Sequence, residues 1–349
     1  KPARPPPPPL LLIRPRSRVL APKKESASSP HGGDPHRFRV RSGLAGVAFA
    51  RLRAINGTGG GSVGAKKRRD RKSRIPLSAD SADRHLLYEA SVQSVDFEVE
   101  FIGKTFREIT GRKARFLRED FCGTAALACE WVGLDPQNRA IGIDLDGPTL
   151  EWGRQRHVAA LGNDSSRVEL VCDDVRAIRD PKVDAVIAFN YSYCFFKRRD
   201  ELRDYFRVAH DALADDGLLF VDAFGGTEAN SEMIEERVIG DAIAPDGRKI
   251  PTFTYIWDQH RFNPVTYDFL CKIHFEFKDG TRFDDAFVYD WRYWTLPEVR
   301  ELLREAGFRD AIVYAEGWDE EEDDADNEFL PREEIEEMAG WIAYVIGVK

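Results

Sequence analysis

The sequence Phe-Leu-Arg-Glu-Asp-Phe-Cys-Gly-Thr-Ala at residues 116–125, together with Ala-Ile-Gly-Ile-Asp-Leu-Asp at residues 140–146, decides the fold. The pattern predicts a strand, a tight turn at Gly123, a helix over residues 124–132 and a second strand over residues 140–145. A strand, a glycine turn and a helix N-terminus are typical of nucleotide sites, because free backbone N–H groups face the ligand and glycine permits its close approach. The stretch therefore predicts an α/β protein with a nucleotide-type site.

Strand and helix patterns alternate through the rest of this region. One or two amphipathic helices are predicted before it, ending near Gly111, and helices follow at 149–161 and 200–213. Such alternation favours a doubly wound, mostly parallel sheet. We expect seven strands with the last antiparallel, formed by residues 115–118, 140–145, 168–172, 183–189, 217–222, 311–315 and 341–348.

An aromatic-rich segment follows the fifth strand. Residues 253–257, 269–277 and 283–293 alternate partly with period two, and Lys278-Asp279-Gly280 is a hairpin signal between the last two runs. We therefore expect an antiparallel β-meander, inserted at residues 227–294 on the substrate side of the main domain. After it, Thr295 is placed to cap a helix that ends at Gly307, and an acidic loop is predicted over residues 319–326.

Residues 1–80 differ from the rest of the chain. They contain about 19 Lys or Arg against about 4 Asp or Glu, so with a whole-chain net charge of -9 the remainder carries roughly -24. This basic Pro/Gly/Ser-rich tail has no useful periodicity and is predicted to be disordered. It resembles an organellar transit peptide, a nuclear or nucleic-acid-binding signal, or a passive tail. Residues 81–349 are expected to fold as one domain.

Composition also restricts the compartment and the classes of site. The five cysteines include no Cys-x-x-Cys pair and the histidines have no metal spacing, so we expect neither a disulfide framework nor a metal site. The sequence contains no apolar run of about 18 residues. We expect a soluble intracellular protein, cytoplasmic or, with a transit peptide, in a plastid or mitochondrion. Because the only methionines are Met233 and Met338, the native N-terminus is expected to differ from the one given.

The glycine turn argues against a dinucleotide. A Gly-x-Gly-x-x-Gly motif would expose the backbone to a pyrophosphate, whereas this turn has Phe121, Gly123 and Ala125 at candidate glycine positions. An oxidoreductase is therefore disfavoured. The segment Glu119–Ala125 resembles instead the acid-x-Gly-Cys-Gly-Thr-Gly motif of class I S-adenosylmethionine-dependent methyltransferases of the small-molecule type, matching it at four positions. Over roughly residues 81–349, this resemblance implies a Rossmann-like fold and S-adenosylmethionine as cofactor.

The resemblance also implies roles for the acidic residues after successive strands. Glu119 and Gly123 would shape the pocket of the methionine moiety, Asp144 would accept the ribose hydroxyls, and Asp174 with Val175 would hold the adenine. With Phe121 and Ala125 in place of glycines, the turn is expected to have a different and tighter shape. The predicted cofactor-binding set comprises Tyr88, Gln93, Glu119, Cys122, Gly123, Thr124, Asp144, Leu145, Asp173, Asp174, Val175 and Asn190.

Structural roles compete with these functional ones. Each aspartate could be a helix cap or a turn residue, and Cys122 a small buried packing residue. Three acids at the ends of three successive strands favour ligand binding, because open α/β sheets bind ligands at that edge. Tyr88 and Gln93, on the helix expected to cover the cofactor, could also simply pack.

The aromatic meander is the predicted substrate side, although aromatic residues at strand spacing often form core. Candidate substrate contacts are Trp257, Arg261, Tyr289, Trp291 and Arg292. Arginine in an aromatic wall suits a carboxylate, whereas aromatics alone suit an amine or a sulfonium, and the sequence leaves both possibilities open.

Tyr191 and Tyr193 follow the fourth strand and are candidates for positioning the acceptor. The predicted function is methyl transfer to N or O of a small molecule by in-line displacement. The alternatives are a nucleic-acid methyltransferase, which the acidic domain disfavours, and a non-catalytic cofactor-binding or interaction protein of the same fold. No membrane partner is expected, and the oligomeric state is not predicted.

Overall fold

The computed structural model describes residues 77–240, 242–244, 246–319 and 324–349. The predicted tail, residues 1–80, lies almost wholly outside these residues and stays a prediction, as do the predicted domain boundaries. Within the described part of the chain, no helix has the length and apolar character needed to cross a membrane.

The main sheet has eight strands in the order β13-β12-β14-β5-β4-β1-β2-β3. The five strands from β3 to β5 run parallel, and β14 is antiparallel to both of its neighbours, β5 and β12. The strands are β1 (Phe116–Asp120), β2 (Arg139–Asp144), β3 (Val168–Cys172), β4 (Val183–Ala188), β5 (Leu213–Gly225), β12 (Asp310–Asp319), β13 (Asp324–Pro331) and β14 (Trp341–Val348).

The antiparallel last strand is confirmed, but the sheet has one strand more than the seven predicted. The additional strand, β13, pairs antiparallel with β12 at the edge of the sheet. It begins within the predicted acidic loop at 319–326. Residues 324–328 are mostly polar or acidic and have low β-propensity, so the strand depends on pairing with its neighbour rather than on its own sequence.

Helices cover both faces of this sheet. They are α1 (Arg84–Val92), α2 (Val95–Thr110), α3 (Ala126–Leu134), α4 (Gly147–Gly153), continued by a π-helical turn over Arg154–Val158, α5 (Arg199–Ala212) and α6 (Leu296–Ala306). Helices α5 and α6 pack in one apolar core with Val186 of β4, whereas α2 and α3 pack in a second core with Ala185 and Ile187. Successive β4 residues thus face opposite helix layers, as a sheet buried on both faces requires.

Capping of α6 agrees with the sequence. The Thr295 backbone N–H donates to Glu298 Oε2 at 3.0 Å, and the Glu298 N–H donates to Thr295 Oγ1 at 3.4 Å. This reciprocal pair is a capping box, and Gly307 ends the helix in the left-handed conformation.

A four-stranded antiparallel sheet, in the order β11-β10-β9-β6, lies between β5 and α6 in the chain. Its strands are β6 (Met233–Ile239), β9 (Phe253–Phe262), β10 (Asp268–Phe277) and β11 (Arg282–Arg292), and the short strands β7 (Ala242–Ile243) and β8 (Lys249–Ile250) pair separately. Three of these four strands match the predicted meander. Leu86 and Leu87 of α1 share an apolar core with this sheet.

The sequence pattern does not predict strand β6, because polar residues occupy its inward-facing positions and apolar residues its exposed ones. Its inward-facing positions include Glu235 and the buried Arg237, whereas Ile234 and Val238 are 62% and 69% exposed. A search for apolar residues on the buried face therefore fails on this strand.

Candidate functional site

In the loop after β1, every second residue from 121 to 125 has a left-handed backbone conformation. Phe121, Gly123 and Ala125 have φ values of 56°, 51° and 57°. The sequence predicted a differently shaped turn at Phe121 and Ala125. Instead, both residues adopt the backbone conformation for which glycine is the usual residue, at a cost of about 1–2 kcal/mol each.

Packing holds this conformation. The Phe121 ring lies 5.9 Å from that of Phe196 and 5.7 Å from that of Tyr205, and Ala125 is completely buried. The side chains that replace glycine therefore anchor the loop to the core.

Asp144, at the end of β2, is joined to this loop. Its Oδ2 accepts the Gly123 N–H at 2.8 Å, and its Oδ1 accepts the Asp146 N–H at 2.8 Å. A carboxylate has about four acceptor positions. Asp144 therefore holds the loop and keeps capacity for hydroxyl donors of a ligand.

Glu119 lies at the junction of β1 and α3. It is 8% exposed, and its Oε2 accepts the Ala128 N–H at 2.9 Å, so the carboxyl group caps the first turn of α3. Burial raises the pKa of Glu119 to about 8, against the opposing effect of the Ala128 N–H. Glu119 therefore shapes the loop through the helix that follows it.

Cys122 is buried and packs against β2. A Cβ atom on Gly142 would lie 2.9 Å from Cys122 Sγ, so only glycine fits beneath the thiol. Burial raises the pKa of Cys122 well above its ordinary value, which keeps the thiol protonated. The contacts favour the packing interpretation of this cysteine.

Thr124 connects the loop to α1. Its hydroxyl donates to Glu89 Oε1 at 2.6 Å, and His157 Nε2 lies 2.7 Å from the same oxygen. Glu89 and His157 were not predicted, because residues so distant in sequence carry no shared motif. Their contacts fix α1 over the β1 loop.

The two acids after β3 have different surroundings. Asp174 accepts bonds from the Arg176 backbone and guanidinium, with a shortest distance of 2.6 Å, and this partner lowers the pKa of Asp174. Asp173 is exposed and accepts the Asp174 N–H at 2.7 Å. Asp174 is thus engaged by Arg176, whereas Asp173 faces solvent at the same sheet edge.

A buried polar network supports this edge from below. Arg118 Nε donates to Asp120 Oδ1 at 2.6 Å, and the Tyr205 hydroxyl donates to Asp120 Oδ2 at 2.9 Å. Arg118 also donates to the carbonyls of Val175 and Ile178 at 2.6 and 2.5 Å. Burial raises the pKa of Asp120, while Arg118 opposes that rise. The network ties β1 to the segment after β3.

Asp222 of β5 fixes the loop after β4. Its carboxylate oxygens accept the Asn190 and Tyr191 N–H groups at 2.9 and 2.8 Å, and both loop residues have a φ of 58°. Asp222 is completely buried. The predicted residues Asn190 and Tyr191 therefore owe their positions to a carboxylate on the neighbouring strand.

An aromatic cleft lies where α1, the β4 loop and the four-stranded sheet meet. It encloses about 760 Å³ of empty space including its open mouth. Tyr289 stacks on Trp291 with ring centroids 4.5 Å apart, and the Tyr191 ring meets that of Phe224 at 4.8 Å. The aromatic walls comprise Tyr88, Tyr191, Phe224, Tyr255, Trp257, Tyr289 and Trp291, and the polar ones Asn190, Glu235 and Arg237.

Other predicted site residues lie elsewhere. Tyr193 is 1% exposed and packs against Phe206 in the main core, so it does not line the cleft. Arg261 is exposed on β9. Arg292 stacks on Trp294 at 3.7 Å and forms an ion pair with Glu298, which makes it a structural residue.

Two further predicted residues lie beside the site. Gln93 directly follows α1, and its buried Oε1 has no hydrogen-bond partner among the described residues. Leu145 is 65% exposed after β2. Neither residue lines the aromatic cleft.

Known protein structures include several with a similar fold. No protein-family model and no curated protein sequence matches the chain. Among solved structures, it is similar to CalS10 of Micromonospora echinaspora, an amino pentose methyltransferase involved in calicheamicin biosynthesis, with 18% identity, a TM-score of 0.52, and coverage of 74% of this chain and 95% of that one.

Two other solved structures are comparably similar. The sugar N-methyltransferase KedS8 from Streptoalloteichus is 18% identical with a TM-score of 0.52, covering 83% of this chain and 99% of its own. DesVI of Streptomyces venezuelae is 19% identical with a TM-score of 0.53, covering 74% and 95% respectively. These likenesses and the strand order establish that the chain has the fold of class I S-adenosylmethionine-dependent methyltransferases.

Proposed function

We propose that the protein is a methyltransferase that uses S-adenosylmethionine to methylate N or O of a small molecule. The observation that carries this proposal is the junction made by α1. Its Glu89 accepts the hydroxyl of Thr124 in the β1 loop, while the preceding residue, Tyr88, lines the aromatic cleft. Helix α1 therefore contacts both the proposed cofactor edge, which comprises the ends of β1 and β2 and the loop after β1, and the aromatic cleft, which would bind the substrate.

The cofactor-binding residues would lie along the carboxyl edge of the main sheet. Asp144 would accept the ribose hydroxyls through its remaining acceptor positions, and Gly123 and Thr124 would border the methionine moiety. For the adenine amino group we favour Asp173, because Arg176 occupies the Asp174 carboxylate. The names of the similar structures, which include a sugar N-methyltransferase, support a small-molecule acceptor.

The contribution of this chain to the reaction would be mainly positioning. The bound cofactor supplies an electrophilic methyl group, and in-line displacement needs the acceptor atom a little over 3 Å from it. Tyr191, whose backbone N–H is held by Asp222 and which lines the cleft, is the residue that we assign to orient the acceptor. The aromatic walls would also stabilise cationic charge near the reacting atoms.

Calorimetry tests the cofactor assignment directly. The full chain should bind S-adenosylmethionine, and Asp144→Ala should weaken binding about 10- to 100-fold, because it removes hydrogen bonds to a charged group. Asp164→Ala, at an exposed acid before β3, is the matched control and should bind normally. Absence of binding by the unaltered chain would contradict the proposal.

Activity is then tested with labelled cofactor and fractionated metabolites. We expect a labelled small molecule, identified by mass, with kcat reduced in Tyr191→Phe but cofactor affinity unchanged. Cofactor binding without any labelled product would favour a non-catalytic protein of the same fold.

A further inference from the structure

The cleft contains a buried arginine that the sequence did not single out. Arg237 lies on β6, is 6% exposed and lines the aromatic cleft. Its guanidinium carbon lies 4.5 Å from the centroid of the Tyr255 ring. A permanent positive charge therefore faces a largely apolar cavity.

The hydrogen bonds of this side chain are incomplete. Nη2 donates to the Ser91 carbonyl at 3.1 Å, whereas Nε and Nη1 are buried without a hydrogen-bond partner among the described residues. Glu235, two residues earlier on the strand, borders the same cleft. Besides a hydrogen bond with the Tyr255 hydroxyl, Nε and Nη1 of this cation thus retain unused donors.

Such an arrangement is costly without a ligand. A buried cation loses its hydration, and stacking on one tyrosine ring offsets only part of that loss. Tyr255 responds to the same surroundings: burial raises its pKa to about 12, and Arg237 opposes that rise. An anionic oxygen group entering the cleft would accept the unused donors and neutralise the charge.

We propose that Arg237 binds a carboxylate group of the molecule that occupies the cleft, which, given the methyltransferase function proposed above, is the methyl acceptor. The chemical class is a small monocarboxylate with an apolar or aromatic body that packs against the cleft wall formed by Trp257 and Trp291, whose ring centroids lie 6.3 Å apart. A phosphate group fits less well. It carries nearly two negative charges, and Arg237 is the only cationic side chain among the described residues that line the cleft, which Glu235 also borders.

The proposed carboxylate site at Arg237 differs from the arginines that the sequence predicts as substrate contacts. The sequence predicts Arg261 and Arg292 as the arginines of the aromatic segment that contact substrate, but the first is exposed and the second is paired with Glu298. Arg237 is the one that combines burial, a position in the cleft and unused donors.

Binding of a simple probe tests the inference. Benzoate titrated into the full chain should quench the fluorescence of Trp257 and Trp291, whereas benzamide, with the same shape and no charge, should bind at least about 10-fold more weakly. Phenyl phosphate should also bind more weakly than benzoate. Equal binding of benzoate and benzamide would overturn the proposal, and tighter binding of phenyl phosphate would overturn the choice of carboxylate.

Variants identify the residue. Arg237→Gln should weaken benzoate binding about 10- to 100-fold and leave benzamide unaffected, since charged hydrogen bonds are lost. Arg261→Gln, on the neighbouring strand and outside the cleft, should match the unaltered chain. Arg237→Lys should restore part of the affinity. Unchanged benzoate binding in folded Arg237→Gln, checked by circular dichroism, would contradict the assignment, and if that variant does not fold, the benzoate–benzamide comparison still decides.

The two proposals fail in different ways. Loss of S-adenosylmethionine binding in calorimetry would remove the proposed function but leave carboxylate binding to be measured. If the chain binds S-adenosylmethionine normally but does not bind benzoate, the methyltransferase proposal stands and the proposed carboxylate site at Arg237 is contradicted.

Discussion

The proposed cofactor edge, which comprises the ends of β1 and β2 and the loop after β1, and the aromatic cleft are built in different ways. At the edge, part of the geometry comes from one strand–turn–helix–strand unit: Asp144 holds the N–H groups of Gly123 and Asp146, 21 and 2 residues away. In the cleft, Tyr88 and Trp291 come together from positions about 200 residues apart in the sequence. A motif can encode the first arrangement, whereas only packing of distant elements produces the second.

The two regions also differ in how they are stabilised. The edge contains left-handed Phe121 and Ala125 and rests on the buried Arg118–Asp120 pair. The cleft depends on aromatic packing, as in the Tyr289–Trp291 stack. We therefore expect substitutions beneath the edge to cost more stability than substitutions in the cleft wall.

The largest effect is expected for Asp120→Asn. It leaves Arg118 as an uncompensated buried charge, so the free energy of unfolding should fall by about 3–5 kcal/mol in urea denaturation. Tyr205→Phe, which removes one hydrogen bond to the same carboxylate, should cost only about 1 kcal/mol. Equal costs for the two variants would show that the ion pair does not support the edge.

A smaller effect is expected at the boundary between the regions. Asp222→Asn replaces one acceptor of the Asn190 and Tyr191 N–H groups with an amide donor and should lower the free energy of unfolding by about 1.5–3 kcal/mol. Thermal unfolding measures the loss. Asp290→Asn, at an exposed position on β11, should have little effect. A neutral result for Asp222→Asn would mean that the β4 loop holds its conformation without this carboxylate.

A further effect depends on pH. The pKa of Glu119 is raised to about 8 in the folded state, so between its ordinary value and pH 8 the folded protein holds a proton that the unfolded chain has lost. Stability from this group is therefore complete below the ordinary pKa of a glutamate, declines between that value and about pH 8 with a slope of at most about 1.4 kcal/mol per pH unit, and is lost above about pH 8.

Glu119→Gln should remove that slope and be most stabilising, relative to the unaltered protein, at pH 8 and above. Urea denaturation at pH 5, 6.5 and 8 measures it. Glu169→Gln, at an exposed position on β3, should keep the original slope. An unchanged slope in Glu119→Gln would show that Glu119 is not the titrating group.

Residue patterns alone anticipated most elements of the main sheet. Residues 168–172 and 341–348 were predicted with the bounds that the structure has. Apolar runs between turn signals identify strands that are buried on both faces. The same reasoning failed for β6, where Glu235 and Arg237 face inward, and for the polar start of β13.

The predicted site residues show the same contrast between what a local sequence pattern predicts and what long-range packing decides. Tyr191 and Tyr193 are equivalent in sequence, but the left-handed backbone at Asn190 and Tyr191 and the short helical turn that follows direct one ring into the cleft and the other into the core. The sequence predicts that Arg292 contacts substrate, but in the structure its guanidinium forms an ion pair with Glu298. Sequence distance conceals such partners.

By itself, the sequence determined the doubly wound fold and the acids at the ends of β1, β2 and β3, because strand periodicity and a turn motif are local properties of the chain. Tertiary structure alone decided which acid is paired, which tyrosine is exposed to the cleft and which arginine lies there with unused donors. These features depend on long-range packing, since burial and hydrogen-bond partners are set by elements about 200 residues apart, as between Tyr88 and Tyr289.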